Sequence, residues 1–401
     1  MNSSEVRKLM AMNRVFKTVK ERQLKNISRI PDFEERLKRL KKVREEYVGD
    51  SELMNAAVEN LMNNGFTVRF AEDGSKALEL ILEEIGDEKL IVKSKSNLTK
   101  EINLTQELLR RGIEVVETDI GDRLIQLLEE DPSHPTGPAS HVSVNQIFNE
   151  LKKFKSDLKP DPYSIIEFLL EDIKKSIEKA RVGITGANAI TGEGSVLILH
   201  NEGNIFEIIR RTEKIIIVAG IDKFYPNLEE AVNSAKIQTF YATGNPVPSF
   251  MEIISGVSKT ADIEKKLYTG VHEPKEAVVI LLDNGRKYLM ENGFKELFHC
   301  IGCGNCVINC PAYGVHGKDF KGGRFALYSA LYSNSSDLRL CLSCRRCKKN
   351  CPVDIDIPGM ISKVREGNEV YNFLYSHARW LVKAFYLQTI LLWWQISGNV
   401  K

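Results

Sequence analysis

The chain has 401 residues, with 56 Lys+Arg against 54 Asp+Glu and a formal net charge of +2. Hydrophobic residues make up 43% and charged residues 27%, a globular composition that excludes disordered, collagen-like and membrane-embedded chains. The near balance of charge removes any electrostatic case for nucleic-acid binding by the whole molecule, and the length suits two or three domains.

The N-terminus shows no apolar h-region, so no secretory leader is expected and the chain reads as cytoplasmic. Residues 1–50 carry 14 Lys+Arg and 8 Asp+Glu. Leu37, Leu40, Val43 and Tyr47 recur at helical spacing. This basic segment is therefore expected as one or two amphipathic helices with a solvated charged face. From residue 51 to 288 helix and strand patterns alternate. Helices are expected over 52–63, 75–84, 99–111, 163–180 and 228–234, and strands over 66–70, 90–92, 113–116, 196–199, 215–218 and 278–282. Such alternation implies βαβ units and a parallel sheet covered on both faces. Residues 246–270 have weak periodicity and read as a surface excursion. Gly183, Gly186, Gly192 and Gly194 do not form a G-x-G-x-x-G fingerprint leading into a helix, so no dinucleotide site is expected.

Residues 289–367 hold all 8 cysteines. A disulfide-stapled secreted protein would spread its cysteines through the fold, whereas one dense group points to metal in a reducing compartment. The first run is Cys300-x2-Cys303-x2-Cys306-x3-Cys310-Pro311, and the second is Cys341-x2-Cys344-x2-Cys347-x3-Cys351-Pro352. This is the bacterial-ferredoxin spacing written twice, in which the fourth cysteine of each run ligates the other cluster. The expectation is two 4Fe-4S clusters, one on Cys300, Cys303, Cys306 and Cys351, the other on Cys341, Cys344, Cys347 and Cys310. Structural zinc sites use two separated Cys-x2-4-Cys pairs and fit this pattern poorly.

Residues 368–401 end the chain in an expected amphipathic helix. Large apolar residues recur from Phe373 onward and include Trp380, Trp393 and Trp394. Lys383, Gln388 and Gln395 interrupt them, so the segment is too polar to span a bilayer. Tryptophans are favoured interface anchors, and this helix is expected to dock on a partner subunit or a membrane surface.

Several short motifs precede the cysteines in a fixed order. They are Val92-Lys93-Ser94-Lys95-Ser96, Glu117-Thr118-Asp119, Pro132-Ser133-His134, Gly137-Pro138-Ala139-Ser140-His141, Asn201-Glu202-Gly203-Asn204 and Asp283-Asn284-Gly285-Arg286. Followed by the paired cysteine runs, the set resembles the lactate utilization protein B family over roughly residues 90–365. The resemblance implies an α/β LUD domain, related to the ribose-5-phosphate isomerase and CoA-transferase superfamily, and then a small α-helical ferredoxin-like 4Fe-4S domain. It implies an iron–sulfur electron-transfer subunit in the oxidation of L-lactate. It also implies two partners: a second LUD-domain protein, and a cysteine-rich subunit related to those of heterodisulfide reductase and glycolate oxidase.

The residues supply a compatible site. Lys93 and Lys95 alternate at a strand end, and Ser96 and Thr99 open the next helix, with Thr99 expected as its cap. Two ammonium groups beside a helix N-terminus suit a small carboxylate. Glu117 and Asp119 follow a buried strand, where α/β sheets place their sites. Removing the hydroxyl proton of a hydroxy acid needs a base, and His134, His141 and Glu117 are the expected candidates. Oxidising lactate releases two electrons, whereas a 4Fe-4S cluster accepts one at a time. No motif here marks the two-electron cofactor that must divide the pair. The chain therefore reads as a relay subunit rather than a complete enzyme. The alternatives are a relay for another hydroxy-acid or heterodisulfide-reductase-like complex, and a metabolite-binding redox sensor.

Overall fold

The computed structural model describes residues 3–130, 132, 137–139, 141–333 and 337–366. His134 and the expected C-terminal helix with its three tryptophans lie outside the described residues. Among the described residues twelve strands follow one another: β1 (Thr67–Ala71), β2 (Leu90–Lys93), β3 (Glu114–Glu117), β4 (Val182–Gly186), β5 (Ala189–Thr191), β6 (Val196–His200), β7 (Lys214–Gly220), β8 (Phe224–Tyr225), β9 (Phe250–Ile254), β10 (Lys259–Thr260), β11 (Tyr268–Thr269) and β12 (Glu276–Leu282).

Six of them form one parallel sheet in the order β1-β12-β7-β4-β2-β3. Its central strands are apolar on both faces, as a sheet covered twice requires. Along β7, Ile216 and Val218 point into a core shared with Ala77 and Ile81 of the helix Gly74–Ile85 and Leu104 and Leu108 of Leu104–Arg110. Ile215, Ile217 and Ala219 point the other way, towards Ile173 and Ile177 of Pro162–Lys179 and Ile208 of Asn204–Arg211. The two-residue alternation of strand side chains divides these cores. From β2 the chain steps outward to β3, then returns to β4 and continues through β7 to β12. The direction reverses between β2 and β4, the switch point where open α/β sheets form a crevice at their carboxyl ends.

β4, at the centre of the sheet, carries no strong strand pattern because two of its five residues are glycine. Packing explains them. A Cβ on Gly183 would lie 2.3 Å from Ile208 Cγ2, and one on Gly186 would lie 2.6 Å from Ser96 Oγ. Glycine here lets a helix and a loop approach the backbone closely. The helix expected over 99–111 is two, Asn97–Glu101 and Leu104–Arg110, broken where Asn103 adopts φ 51°. The excursion after residue 246 contributes β9 to the smaller sheet, ordered β8-β5-β6-β9, and the hairpin β10–β11.

The basic N-terminal segment is a strap as well as a solvated surface. Its helices are Ser3–Asn26 and Phe33–Tyr47. Met12, Phe16 and Val19 pack on Val307, Ile308 and Tyr313 of the cysteine region. Leu40 and Val43 enter the core shared by the smaller sheet and the cysteine region. Arg44 is only 1% exposed. It donates to the backbone carbonyls of Asp222, Phe224, Phe298 and His299 at 2.5–3.3 Å, tying both regions to one guanidinium. Among the described residues no helix is long and apolar enough to cross a membrane.

Candidate functional site

The two cysteine runs build the same loop twice. In the first, Gly302 and Gly304 have φ 79° and 72°; in the second, Ser343 and Arg345 take the equivalent places with φ 49° and 60°. Left-handed residues alternating with right-handed ones turn successive backbone N–H groups towards one centre, the concave nest common to iron–sulfur sites. Each loop then enters one helical turn, Asn305–Ile308 or Arg346–Lys349. Asn305 is buried and donates to the carbonyl of Asn350 at 2.6 Å, so the two turns are pinned together.

That pinning interleaves the runs. Cys300, Cys303, Cys306 and Cys351 line one small cavity, beside Arg324. Cys310, Cys341, Cys344 and Cys347 line a second. All eight cysteines are free thiols. Gly302 N–H donates to Cys300 Sγ at 3.3 Å and Arg324 N–H to Cys306 Sγ at 3.5 Å. Backbone N–H groups of Tyr313 and Gly323 also meet Cys310, and those of Ile355, Val353 and Asp354 meet Cys351. Burial drives the thiols of Cys306, Cys310 and Cys351 upward, Cys306 to about 12 and Cys351 to about 11, against the N–H donors that favour the thiolate. Buried thiols held neutral in this way become thiolate ligands once positive metal compensates them. Among the described residues no three His, Cys, Asp or Glu side chains are placed to hold a single ion. A zinc ion draws its sulfurs to about 2.3 Å. Two separate four-thiol linings, each drawing three cysteines from one run and one from the other, fit a pair of polynuclear clusters instead.

The loop between the runs has a positioning role. Gly323 has φ 49°, and a Cβ there would lie 2.7 Å from Cys306 Sγ, while its N–H meets Cys310. It therefore touches one cysteine from each cavity.

The sheet edge gathers most of the expected polar residues, although with their charges already matched. Lys93 and Glu117 are register partners on β2 and β3 and form a buried ion pair at 3.0 Å. Glu117 also accepts from Thr105 Oγ1 at 2.9 Å, so both carboxylate oxygens are engaged. Lys95 meets Asp119 at 2.6 Å and Asp122 at 3.9 Å, and Lys100 meets Asp122 at 2.7 Å. Burial works to lower the Lys95 pKa, but Asp119 and Asp122 outweigh it and hold the ammonium charged. The helix Asn97–Glu101 is capped by Ser96, whose Oγ accepts from Thr99 N–H; Thr99 is inside the helix rather than at its cap. The cationic anchor expected of Lys93 and Lys95 is thus countered by Glu117, Asp119 and Asp122. His141 Nε2 pairs with Glu130 at 3.0 Å, just past the helix Ile120–Leu128 that Asp119 opens, while Pro138 of the same loop lies against Gly121 at the start of that helix.

Glu202 belongs to this edge and was hidden in an apparent turn. Its carboxylate accepts from Ile120 N–H at 2.8 Å. Burial, followed by the charge of Asp119, raises its pKa.

A second group joins the sheet edge to the cavities, built around Arg286 of the Asp283-Asn284-Gly285-Arg286 motif. Arg286 donates to both oxygens of Glu101 at 3.0 and 2.9 Å and to Asp222 Oδ1 at 3.0 Å. It also reaches the hydroxyl of Tyr328 at 2.7 Å, and that hydroxyl bonds Glu101 as well. Tyr328 lies on the helix Gly323–Ser333. The guanidinium of Arg324, one turn earlier, sits 4.4 Å from its ring centroid. The chain of contacts runs from Glu101 to the lining of the first cavity.

Comparison with known proteins places this geometry. Residues 54–282 match the LUD domain, and residues 296–355 match a 4Fe-4S dicluster domain. Curated relatives named lactate utilization protein B are similar to this chain. Those from Geobacillus kaustophilus and Bacillus subtilis are each 32% identical, over 322 and 324 residues, and that from Bacillus cytotoxicus is 30% identical over 321. In each case the match covers 77% of this chain and 66% of the relative, so the chain spans just under two thirds of their length. Among solved structures, a DUF162 family protein from Deinococcus radiodurans aligns over 58% of this chain and 97% of its own. Its identity is 11% and its TM-score 0.33, too distant to bear on the fold.

Proposed function

Because the chain belongs to the LUD domain family and carries a 4Fe-4S dicluster domain behind that domain, we propose that it is the iron–sulfur relay subunit of an L-lactate-oxidising complex. Its partners are a second LUD-domain protein and a cysteine-rich subunit of the heterodisulfide-reductase and glycolate-oxidase type. The observation that carries the reading is the interleaving of the two cysteine runs into two four-thiol cavities. Two 4Fe-4S clusters held there, with crossed ligation, supply single-electron transfer.

The residues of this chain hold and tune those centres. Backbone N–H groups aimed at the sulfurs favour the more reduced, more negative state, and burial opposes it. Arg286, Glu101 and Tyr328 fix the LUD domain against the wall of the first cavity. At the sheet edge, Glu202 keeps its proton above the ordinary carboxylate range beside the ammonium of Lys95. That pairing suits a proton exchange accompanying hydroxy-acid oxidation.

Anaerobic purification tests the cluster assignment. The chain should hold about eight iron atoms, and Cys310→Ser should damage the cluster of Cys341, Cys344 and Cys347 while sparing that of Cys300, Cys303 and Cys306. Stoichiometric zinc without iron, or loss confined to the cluster of its own run, would sink the crossed assignment.

A further inference from the structure

The two cavities face different surroundings. The first is turned inward: Cys303 is buried, Lys223 of the LUD domain donates to the Cys300 carbonyl at 3.3 Å, and Gly302 packs near Gln238. The second opens outward, because Cys344 is exposed. Its neighbours are cationic. Arg345 lines the cavity and, like Arg346 and Lys349, is exposed. Among the described residues none of these three forms an ion pair, whereas Lys348 beside them is matched by Asp356 at 3.2 Å. Lys20 of the strap helix adds to the same field, since burial and then the charge of Arg346 lower its pKa. Unmatched like charges kept together cost stability, and a whole-chain charge of only +2 does not produce them by chance excess.

We propose that the cationic rim around Cys344 is the docking surface for a protein electron carrier with an acidic face, and that single electrons leave the chain there. The proposal rests on the relay reading above. The transfer balances simply: the centre in the second cavity is oxidised by one electron and the carrier is reduced by one. No bond forms or breaks and no proton moves. Complementary charge steers such encounters, raising association rates by 10-fold or more at low salt.

The test uses the full chain with its clusters loaded and reduced by dithionite under anaerobic conditions. Two protein oxidants share one haem and differ in surface charge: cytochrome c, which is basic, and fully succinylated cytochrome c, which is acidic. Stopped-flow oxidation at low ionic strength should favour the succinylated form by about tenfold. The preference should collapse at high salt, where the screening length falls to a few ångströms. Arg346→Glu combined with Lys349→Glu, which leaves every cysteine and Arg345 in place, should reverse it. Lys89→Glu combined with Lys179→Glu, at the amino ends of the main sheet, should leave it intact. A wild-type rate without salt-dependent preference overturns the proposal, even where the reversal variant does not fold. A preference unchanged in a folded reversal variant does the same. A purified chain that shows no reduced-cluster EPR signal before cytochrome is added fails earlier, and that result overturns the relay reading together with the port.

Discussion

Glu202 shows how a single side chain changes meaning with context. In the chain it stands in Asn-Glu-Gly-Asn and reads as turn chemistry. In the fold it receives the N–H of Ile120 and faces Asp119, and burial with that neighbouring charge raises its pKa. The sign of the consequence follows from linkage. A carboxyl that binds its proton more tightly in the folded state contributes stability that is full below its unfolded pKa of about 4.3 and is lost as pH rises through the folded value. Glu202→Gln keeps the acceptor for Ile120 without the charge. Its unfolding midpoint should therefore exceed that of the wild type at pH 7, with the difference closing below about pH 4.3. A variant less stable at pH 7 would show instead that Glu202 is ionised and held by Lys95. The lysines carry a parallel lesson: Lys93 and Lys95 were legible as strand-end residues, but their partners were not. Glu117 and Asp119 are 24 residues away along the chain, and only the parallel register brings them opposite.

At the scale of elements, legibility followed locality. The cysteine loops repeat a short spacing whose geometry is set within a few residues, and the cavities contain the four-residue sets that this spacing implied. Long helices with apolar stripes, such as Pro162–Lys179, were equally plain. β4 was not, because its pattern is written in what its neighbours need: Gly183 makes room for Ile208, and Gly186 for Ser96. The same reasoning makes Gly323 a sharp test. Its positive φ disfavours any side chain by about 1 kcal/mol or more, and a Cβ would press on Cys306 at 2.7 Å. Gly323→Ala should leave the LUD domain folded by circular dichroism and lower the iron content, with the loss concentrated in the cluster that Cys306 helps hold. Full iron loading in that variant would show that the loop yields and that Gly323 has no positioning role.

Across the whole molecule the arrangement is directional. The sheet edge, the junction of Glu101, Arg286 and Tyr328, the inward cavity and the outward cavity follow one another, with the N-terminal strap clasping the cysteine region. Only Arg286 was visible beforehand, in its short motif; its partners come from positions 101, 222 and 328 and share no local motif with it. Arg286 is 4% exposed and serves two carboxylates and a phenol. Removing it leaves Asp222 and Glu101 buried without their shared cation, a change that costs about 3–5 kcal/mol for a broken buried pair. Arg286→Ala should accordingly loosen the domains against each other, seen as protease cleavage between residues 283 and 299 that the wild type resists. Equal resistance in the variant would assign the attachment to the apolar core and the Arg44 clasp instead.

The most direct test of the relay is made on the assembled complex. L-lactate is added anaerobically, the reaction is freeze-quenched, and the reduced-cluster EPR signals of this subunit are followed alongside pyruvate. A relay requires those signals to appear within the turnover time when no acceptor is present and to vanish when acceptor is supplied. With Cys310→Ser, reduction should stop at the inward cluster. Pyruvate formed at an undiminished rate while the clusters of this chain stay oxidised, or while they are absent, would contradict it.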